Sequence, residues 1–399
     1  MIEKAALIFF IVLTANAQSI DMISFYKEAV KNMQYNDSYK LYKKSNSLNI
    51  ESKKRARFEN VSVDILYGST KAKQLNNSFS NTDITITDTI DIFDKARDDT
   101  LLLELKLKQN HILVQMQKEK LFISLVKMVS LYRKTDEILK LHKSIYKEQD
   151  EFKNKLYLAV KAGGKPKVEY DRFTNILSLI KNKIIQEESV VESMKSSLKL
   201  YAPECEIPDI DNSLLDASQD QFLSRNLELN YNDIEVKKSI ANSLKVKREW
   251  LPSAVFVINK QFNSDPTANG DNYTISAGLH MSFNGGKFKS VEASRVKALA
   301  IKSQRNNLET VQKMNFLKMF KEYMSSKNSM EMLTTTLHSS KETLSTMQKA
   351  YLKHYTDLNN YIQTIKEFVT IREAFYTAKY KNIQNSLILN NLSKGTIYE

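Results

Sequence analysis

The segment PSAVFVINKQFNSDPTANGDNYTISAGLHMSF, residues 252–283, has the pattern of two β-strands joined by a polar loop. In the second run, apolar residues stand at every other position: Ile275, Ala277, Leu279, Met281 and Phe283. The alternation lasts about 11 residues, which is the length of a tilted membrane strand. The loop 263–272 contains Asp-Pro and Asn-Gly pairs, which favour turns. The segment therefore predicts a strand pair of membrane length.

An earlier segment repeats the same order of events, offset by about 190 residues. Apolar and polar residues alternate in two runs, with Val61, Val63, Ile65 and Tyr67 in the first and Ile84, Ile86, Ile90 and Ile92 in the second. The polar stretch 68–81 between them is predicted to be a loop. Asp88 interrupts the apolar face of the second run. The chain is therefore predicted to contain two structural repeats.

After each strand pair the period changes from two to about 3.5, which is typical of a coiled-coil helix. In the second repeat the apolar positions are Val291, Ala298, Ile301, Leu308, Met330, Leu333, Leu337, Leu344, Met347 and Tyr351. A helix from Lys287 to Lys353 would be roughly 100 Å long, and Lys95 to Lys161 has a matching length. A break and a return helix follow each of them, so the pattern predicts two long helical hairpins.

The predicted fold class is mainly α with membrane β-strands, in two repeats of a strand pair plus a long coiled-coil helical hairpin. The expected segments are 1–17 signal peptide, 18–56 N-terminal lead-in helices, 57–93 first strand pair, 94–201 first hairpin, 202–217 linker, 218–250 second lead-in helix, 251–283 second strand pair, 284–395 second hairpin and 396–399 C-terminal tail. No compact domain needs helices of that length, whereas a rod or tube does.

The first residues have the pattern of a secretory signal. Lys4 precedes the apolar run from Ala5 to Thr14, and Ala15 and Ala17 are small residues at the positions that a signal peptidase reads. A membrane-spanning helix needs about 20 apolar residues, and this run is shorter. The alternative to a cleaved signal peptide is an uncleaved membrane anchor. No later stretch reaches about 18 apolar residues, which argues against transmembrane helices.

The formal net charge of +13 raises the question of nucleic-acid binding. The lysines are spread along the helices rather than clustered, so a solvated helix surface explains them better and no nucleic-acid partner is expected. No catalytic, phosphate-binding or cofactor motif is present. The five histidines form no ligand pair, and the single cysteine, Cys205, has no metal partner in its linker. We therefore expect no enzyme, no cofactor and no metal site.

Four strands cannot close a membrane barrel, because open edges in lipid leave backbone groups without hydrogen bonds. Three copies would supply twelve strands and six helical hairpins, so a homotrimer with a 12-stranded β-barrel is predicted. Aromatic residues near the strand ends fit the two girdles of such a barrel. The candidates are Phe58, Tyr67, Phe93, Trp250, Phe262, Tyr273 and Phe283. The alternative is that aromatic residues are simply common in strands.

At this point the sequence resembles the TolC-like outer-membrane efflux proteins over nearly the whole chain after the signal. The most specific motifs are Leu251-Pro252-Ser253 at the start of a strand and Phe283-Asn284-Gly285-Gly286 after the next one. The resemblance implies a homotrimer in the outer membrane of a diderm bacterium, with an α-helical barrel in the periplasm. It also implies a periplasmic adaptor and an inner-membrane pump as partners, and a passive duct for the substrates that the pump hands over.

The resemblance also implies functional positions. Candidate gate or adaptor-docking residues lie at the two hairpin tips: Gly163, Gly164, Pro166, His354, Tyr355 and Asp357. Helix–strand turns are expected at Pro252, Gly285 and Gly286. The second tip departs from the family pattern, since His354 stands where a glycine is usual, and an exposed, tolerant loop is the alternative there.

Two other functions remain open. The exit duct of a type I protein-secretion system has the same fold, and the sequence does not separate it from an efflux duct. A periplasmic coiled-coil adaptor or scaffold also has an export signal and helical hairpins. Such an adaptor normally has one hairpin, however, whereas this chain has two, each preceded by a membrane-length strand pair.

Overall fold

The computed structural model of the chain describes residues 21–55, 61–72, 77–211, 215–263, 272–281, 285–395 and 397. Its elements, in chain order, are α1 (Met22–Asn32), α2 (Tyr35–Arg55), β1 (Val61–Ala72), β2 (Asn77–Ile90), α3 (Lys95–Lys161), α4 (Lys167–Tyr201), α5 (Gln219–Arg225), α6 (Leu227–Arg248), β3 (Ser253–Asn263), β4 (Asn272–His280), α7 (Gly286–Leu352) and α8 (Leu358–Lys394). The expected signal peptide lies outside the described residues. Among the described helices, none is long and apolar enough to cross a membrane.

The order of these elements confirms the mainly α fold with two repeats. Each repeat passes from short helices through an antiparallel strand pair to a long helix and a return helix. The long helices α3 and α7 contain 67 residues each. Neither has a proline, and their only glycine is the first residue of α7, so no residue interrupts the backbone hydrogen bonding of either helix.

The four strands form one antiparallel sheet in the order β1-β2-β3-β4. The register collects the predicted apolar positions on one face, which we call the apolar face. One row across it contains Val63, Ile86, Ile258 and Ile275, and the adjacent row on the opposite face contains Asp64, Thr85, Asn259 and Thr274. The apolar face is exposed, with 57% of Val63 and 63% of Ile275 accessible to solvent. The opposite, polar face also carries Leu66, Val255 and Val257.

The first strand pair is longer than its sequence pattern predicts. Part of the predicted loop 68–81 is strand, since Gly68 pairs with Asn81 and Ala72 with Asn77. The prediction was wrong there because it relied on side-chain polarity, whereas a ladder is built by the backbone N–H and C=O groups. β2 ends two residues earlier than predicted, and β4 ends at His280, with the predicted end at Phe283 outside the described residues.

Two aspartates form the turn that leads from β2 into α3. Asp94 adopts a left-handed conformation with a φ of 57°. The Asp91 carboxylate accepts hydrogen bonds from the backbone N–H groups of Phe93, at 3.3 Å, and Ala96, at 2.8 Å. Aspartate tolerates this conformation better than most residues. The first repeat therefore makes its strand-to-helix turn without the Gly-Gly pair of the second repeat.

The second lead-in helix was predicted as one continuous element, and this prediction was wrong. The segment divides into α5 and α6 at Asn226. The Asn226 side chain accepts a hydrogen bond from the backbone N–H of Leu229 at 2.9 Å and so caps α6. An asparagine side chain competes with helical backbone bonding and favours this cap position.

The chain divides into two compact units. The tip unit consists of Met1–Met33, Glu119–Ser218 and Leu317–Glu399, and the sheet unit of Gln34–Lys118 and Gln219–Phe316. The tip unit has a core drawn from α3, α4, α7 and α8. The fully buried aromatic residues of this core are Phe152, Phe173, Tyr351 and Tyr361. Leu337, Leu344 and Met347, three of the predicted coiled-coil positions, pack against this core.

Candidate functional site at the helix ends

The end of α3 is shaped by glycine. Gly163 adopts a left-handed conformation with a φ of 76°. Its N–H donates to the carbonyl of Val160 at 3.0 Å, and the N–H of Gly164 donates to the carbonyl of Ala159 at 2.9 Å. This pair of bonds is the Schellman motif, which satisfies the last carbonyls of a helix. Gly163 and Gly164 therefore end the first long helix.

The end of α7 has the same geometry without a glycine. His354 adopts a left-handed conformation with a φ of 63°, and its N–H donates to the carbonyl of Tyr351 at 3.1 Å. The N–H of Tyr355 donates to the carbonyl of Ala350 at 2.9 Å. His354 thus takes the structural place of Gly163. Because its side chain has a β-carbon, this conformation is strained at His354 and relaxed at Gly163.

The return helices begin differently at the two tips. Pro166 precedes α4 with a φ of −64° and no side-chain hydrogen bond to the helix. Asp357 precedes α8, and its carboxylate accepts a hydrogen bond from the backbone N–H of Asn360 at 2.8 Å. Aspartate is a favoured N-cap residue because it satisfies a free N–H and interacts well with the helix dipole. Asp357 therefore has a structural role at the second tip.

Tyr351 joins the two tips. Its hydroxyl donates to the Glu169 carboxylate, in the first turn of α4, at 2.6 Å. The ammonium group of Lys165, in the first tip, lies 4.2 Å from the centre of the Tyr351 ring. Burial and the carboxylate of Glu169 raise the pKa of Tyr351 above its usual range, so the hydroxyl stays protonated and can donate. Residues of the first tip are thus held to the last turn of α7.

An aromatic cluster lies beneath this contact. The Tyr351 and Tyr361 rings are stacked with their centres 5.9 Å apart, and the centre of the Phe152 ring lies 5.0 Å from that of Tyr361. The Tyr361 hydroxyl donates to the side-chain oxygen of Gln149 at 2.7 Å. Aromatic pairs at such distances add to the energy of burial. The sequence did not reveal Lys165, Glu169, Gln149 and Tyr361, because no local pattern marks them and their contacts join positions far apart in the chain, such as Gln149 and Tyr361.

The candidate tip residues are exposed, as gate or docking residues need to be. Gly163, Gly164 and Pro166 of the first tip and His354, Tyr355 and Asp357 of the second are all accessible, and 82% of Tyr355 is exposed. The contacts that join the tips come instead from the buried Tyr351 and its partners. The structure therefore separates an exposed tip surface from the internal contacts that hold it.

The expected helix–strand turns occupy the ends of elements. Pro252 directly precedes β3, and the Lys95 ammonium donates to the carbonyl of Leu251 at 2.5 Å beside it. Gly285 lies in a turn, and Gly286 is the first residue of α7. These positions start the strand and the helix of the second repeat.

The aromatic residues proposed as girdles lie at both ends of the strands. Tyr67, Phe262 and Tyr273 are on the apolar face at its loop end, where Tyr67 and Phe262 flank Thr82. Phe93 and Trp250 lie beyond the opposite ends of β2 and β3, and the Trp250 ring packs edge-on against Phe288 at 4.0 Å. Phe58 and Phe283 lie outside the described residues. A girdle role for these residues stays a prediction.

Within the described residues, one group of three side chains of metal-ligating types has its ligand atoms within 4.8 Å of one another. These side chains are His142, Glu187 and Glu373. The two imidazole nitrogens face different carboxylates, with Glu187 2.7 Å from Nδ1 and Glu373 3.0 Å from Nε2. Metal ligands instead direct their lone pairs at one shared point. The arrangement fits a protonated imidazole between two carboxylates.

No protein-family model matches the sequence, and no curated protein is significantly similar to it. Solved structures, in contrast, match over almost the whole chain. CusC, studied for its folding and transmembrane channel formation, is 10% identical, with 93% of this chain and 91% of that chain covered and a TM-score of 0.79. The outer-membrane channel OprN is 13% identical, with 94% and 89% covered and a TM-score of 0.77.

The CmeC outer membrane channel of Campylobacter jejuni is also similar, with 12% identity, 94% and 85% of the two chains covered and a TM-score of 0.72. Identities this low carry information on the fold alone. That fold is the one implied by the sequence motifs and by the order of strands and helices. The chain therefore has the fold of the TolC-like outer-membrane channels.

Proposed function

We propose that this chain is one protomer of a homotrimeric outer-membrane duct. In this proposal the strands complete a barrel in the outer membrane and the helices project into the periplasm. A periplasmic adaptor and an inner-membrane pump hand substrates to the duct, which gives them passive exit. The likeness to CusC, OprN and CmeC supports a channel role.

The observation that carries the proposal is the two-sided sheet. Its apolar face exposes large side chains, such as Ile65 at 65% and Leu279 at 70%, with no described element covering them. Exposed apolar area on this scale marks an interaction surface. The opposite face carries Thr, Asn, Ser and Asp side chains, as the water-filled interior of a membrane barrel does. Lipid is therefore the partner that fits the apolar face.

The free edges of the sheet support the trimer. Among the described strands, β1 pairs only with β2, and β4 only with β3. In lipid each edge would leave a row of backbone groups without hydrogen bonds, at several kcal/mol for each group. Pairing β1 of one protomer with β4 of the next removes both edges. Three protomers supply twelve strands, which is an even number within the range of known barrels.

A periplasmic adaptor or scaffold explains these features less well, because a water-soluble protein would not leave the apolar face uncovered. An exit duct for secreted proteins has the same fold and remains the alternative. Neighbouring genes for a small-molecule pump or for a peptide-exporting ATPase would distinguish the two ducts.

The test is reconstitution of the protein purified in detergent. We expect trimers that form ion-conducting channels in a planar bilayer, and a protein that fractionates with the outer membrane. Heat-dissociated protein at the same concentration is the control. A mature protein found in the periplasm without detergent, or trimers without conductance, would contradict the proposal.

The exposed tip surface is proposed as the gate and the docking site for the adaptor. Tyr355→Ala is a suitable test, because this side chain is 82% exposed and caps no helix. We expect weaker efflux with an unchanged amount of protein in the outer membrane. Met332→Ala, at an exposed position of α7 away from the tips, is the control. Unchanged efflux and unchanged single-channel conductance in Tyr355→Ala would remove this residue from both roles.

A further inference from the structure

A charged cluster lies inside the tip unit, apart from the tips themselves. His142, on α3, is only 2% exposed. Its Nδ1 atom lies 2.7 Å from the Glu187 carboxylate on α4, and its Nε2 atom lies 3.0 Å from the Glu373 carboxylate on α8. One imidazole thus contacts carboxylates of two other helices.

The charges in direct contact with one another at His142 balance only when the imidazole is protonated. Lys183, on α4, contacts the same Glu373 oxygen at 2.7 Å. Lys366, on α8, lines the cavity of about 420 Å³ that His142, Lys183 and Glu373 also border. Within the contacting group, two carboxylates face one ammonium and one imidazole. An imidazolium makes this group neutral, whereas a neutral imidazole leaves one partly buried negative charge without a partner.

Hydrogen bonding leads to the same result. A neutral imidazole has one N–H donor and one acceptor nitrogen, whereas an imidazolium has two donors. Both carboxylates are acceptors. A neutral His142 would therefore place a nitrogen lone pair against a carboxylate oxygen in a buried site, where unpaired polar groups are costly.

We infer that His142 is a proton-binding site whose imidazolium holds α8 against α3 and α4, because its positive charge faces Glu187 of the first repeat and Glu373 of the second. The imidazolium makes a charge-assisted hydrogen bond to Glu187 at 2.7 Å and an ion pair with Glu373 at 3.0 Å, one contact to each repeat. Loss of the bound proton leaves Glu187 and Glu373 with a single ammonium, that of Lys183, in contact with them. The inference rests on contacts within the tip unit and does not depend on the proposed duct function.

The pKa shifts agree with this geometry. Burial acts to lower the pKa of His142, but its contacts with the Glu373 and Glu187 carboxylates outweigh burial and raise the pKa above its usual value. The contact with His142, together with Lys183, lowers the pKa of Glu373 to about 2. These shifts set the pH range in which the site stabilises the fold.

The pKa of His142 is raised on folding. Its contribution to the stability of the fold is therefore complete below about pH 6.5, and it is lost as the pH rises through the folded-state pKa. The pKa of Glu373 is lowered on folding. Its contribution to the stability of the fold is therefore complete above about pH 4.5, and it is lost only as the pH falls toward 2. The site therefore holds the helices most firmly from weakly acidic pH up to the raised pKa of His142.

The direct test is NMR of the detergent-solubilised protein with ¹³C-labelled histidine. The chain has five histidines, and the signal missing in His142→Gln identifies His142. We expect this signal to titrate with a midpoint above about 6.5, the value of a free histidine. A midpoint below that value, or the chemical shift of a neutral imidazole at pH 6, would overturn the inference. This measurement uses the unaltered site and does not require the variant to be fully stable.

A second test follows melting temperature against pH. The stability lost in His142→Gln should be largest near pH 6 and should shrink as the pH rises past the His142 midpoint. His338→Gln is the matched control, because the His338 side chain is 80% exposed, and it should follow the wild type. A loss in His142→Gln that is the same from about pH 5.5 to 9 would contradict the inference. Zinc ions that stabilise the wild type but not His142→Gln would also contradict the inference, because they would identify a metal site.

Discussion

At the residue scale, the second tip contains a strained histidine where the first tip has a relaxed glycine. His354 and Gly163 occupy the same position in two identical hydrogen-bonding motifs. A residue with a β-carbon pays roughly 1–2 kcal/mol for this conformation. A Cβ added at Gly163 would meet no atom within 4 Å, so backbone strain is the only obstacle to a side chain there.

We therefore expect opposite effects from two substitutions. His354→Gly should stabilise the tip, and Gly163→Ala should destabilise it, each by about 1 kcal/mol. The measurement is hydrogen exchange of the tip amides together with the melting temperature of the trimer. Destabilisation by His354→Gly would show that the imidazole makes a contact worth more than the strain.

The Tyr351 hydroxyl gives a second prediction at this scale. Tyr351→Phe keeps the buried ring but removes the hydrogen bond to Glu169. We expect a loss of about 1.5–3 kcal/mol and faster hydrogen exchange in the first turn of α4, because a hydrogen bond to a charged group is broken. Tyr355→Phe, which removes a hydroxyl from an exposed ring, is the control. Equal exchange in the two variants would show that the bond does not join the tips.

At the element scale, the sheet is defined by the difference between its faces. Adjacent residues of one strand point to opposite faces, so they experience different surroundings at the same depth. Ile275 and Ser276 on β4 are such a pair, and both are exposed. They provide a test in which position, strand and substitution are matched.

Ile275→Lys should impair assembly in the outer membrane, since a lysine on the lipid face costs about 2–4 kcal/mol near the middle of the bilayer. Ser276→Lys should assemble normally and increase the preference of the channel for anions, because in the proposed barrel its charge would face the lumen. Trimer yield in the outer membrane and reversal potentials in bilayers measure these effects. Equal yields from the two variants would contradict the assignment of the apolar face to lipid.

Prediction from sequence succeeded for elements with a strong period and failed where side chains act singly. The long helices and the apolar strand positions follow from repeated patterns, and each residue of a pattern supports the others. The break at Asn226 depends on one side chain that caps α6, and an unbroken helix has almost the same composition. The strand residues from Gly68 to Ala72 pair through their backbone, and polarity did not show it.

At the scale of the whole molecule, the free edges of the sheet predict a closed ring of three chains. A cysteine pair tests this in a Cys205→Ser background, with Asp64→Cys on β1 and Thr274→Cys or Ser276→Cys on β4. The paired edges should give disulfide-linked dimers and trimers and no larger species, because three protomers close the ring. Each single variant is a control that should give none.

Two outcomes would contradict this closure. Ladders that continue beyond three chains would indicate an open assembly. A complete lack of cross-links, with cysteines at several registers of β1 and β4, would indicate that the edges do not meet. Mass measurement of the trimer in detergent is an independent check, with 46.1 kDa as the mass of the chain before removal of the predicted signal peptide.

The sequence by itself determined the strand pairs, the long helices and their repetition, because hydrophobic periods of two and about 3.5 are local and extend over many residues. It also located the first tip, since Gly163, Gly164 and Pro166 interrupt the helix locally. Only the tertiary structure decided which tip residues are held and by what, as Tyr351 meets Glu169 across 182 positions of the chain. Likewise, His142 is one of five unremarkable histidines in the sequence. Its proton-binding role arises only because folding buries it between carboxylates of two other helices, where an unbalanced charge is costly.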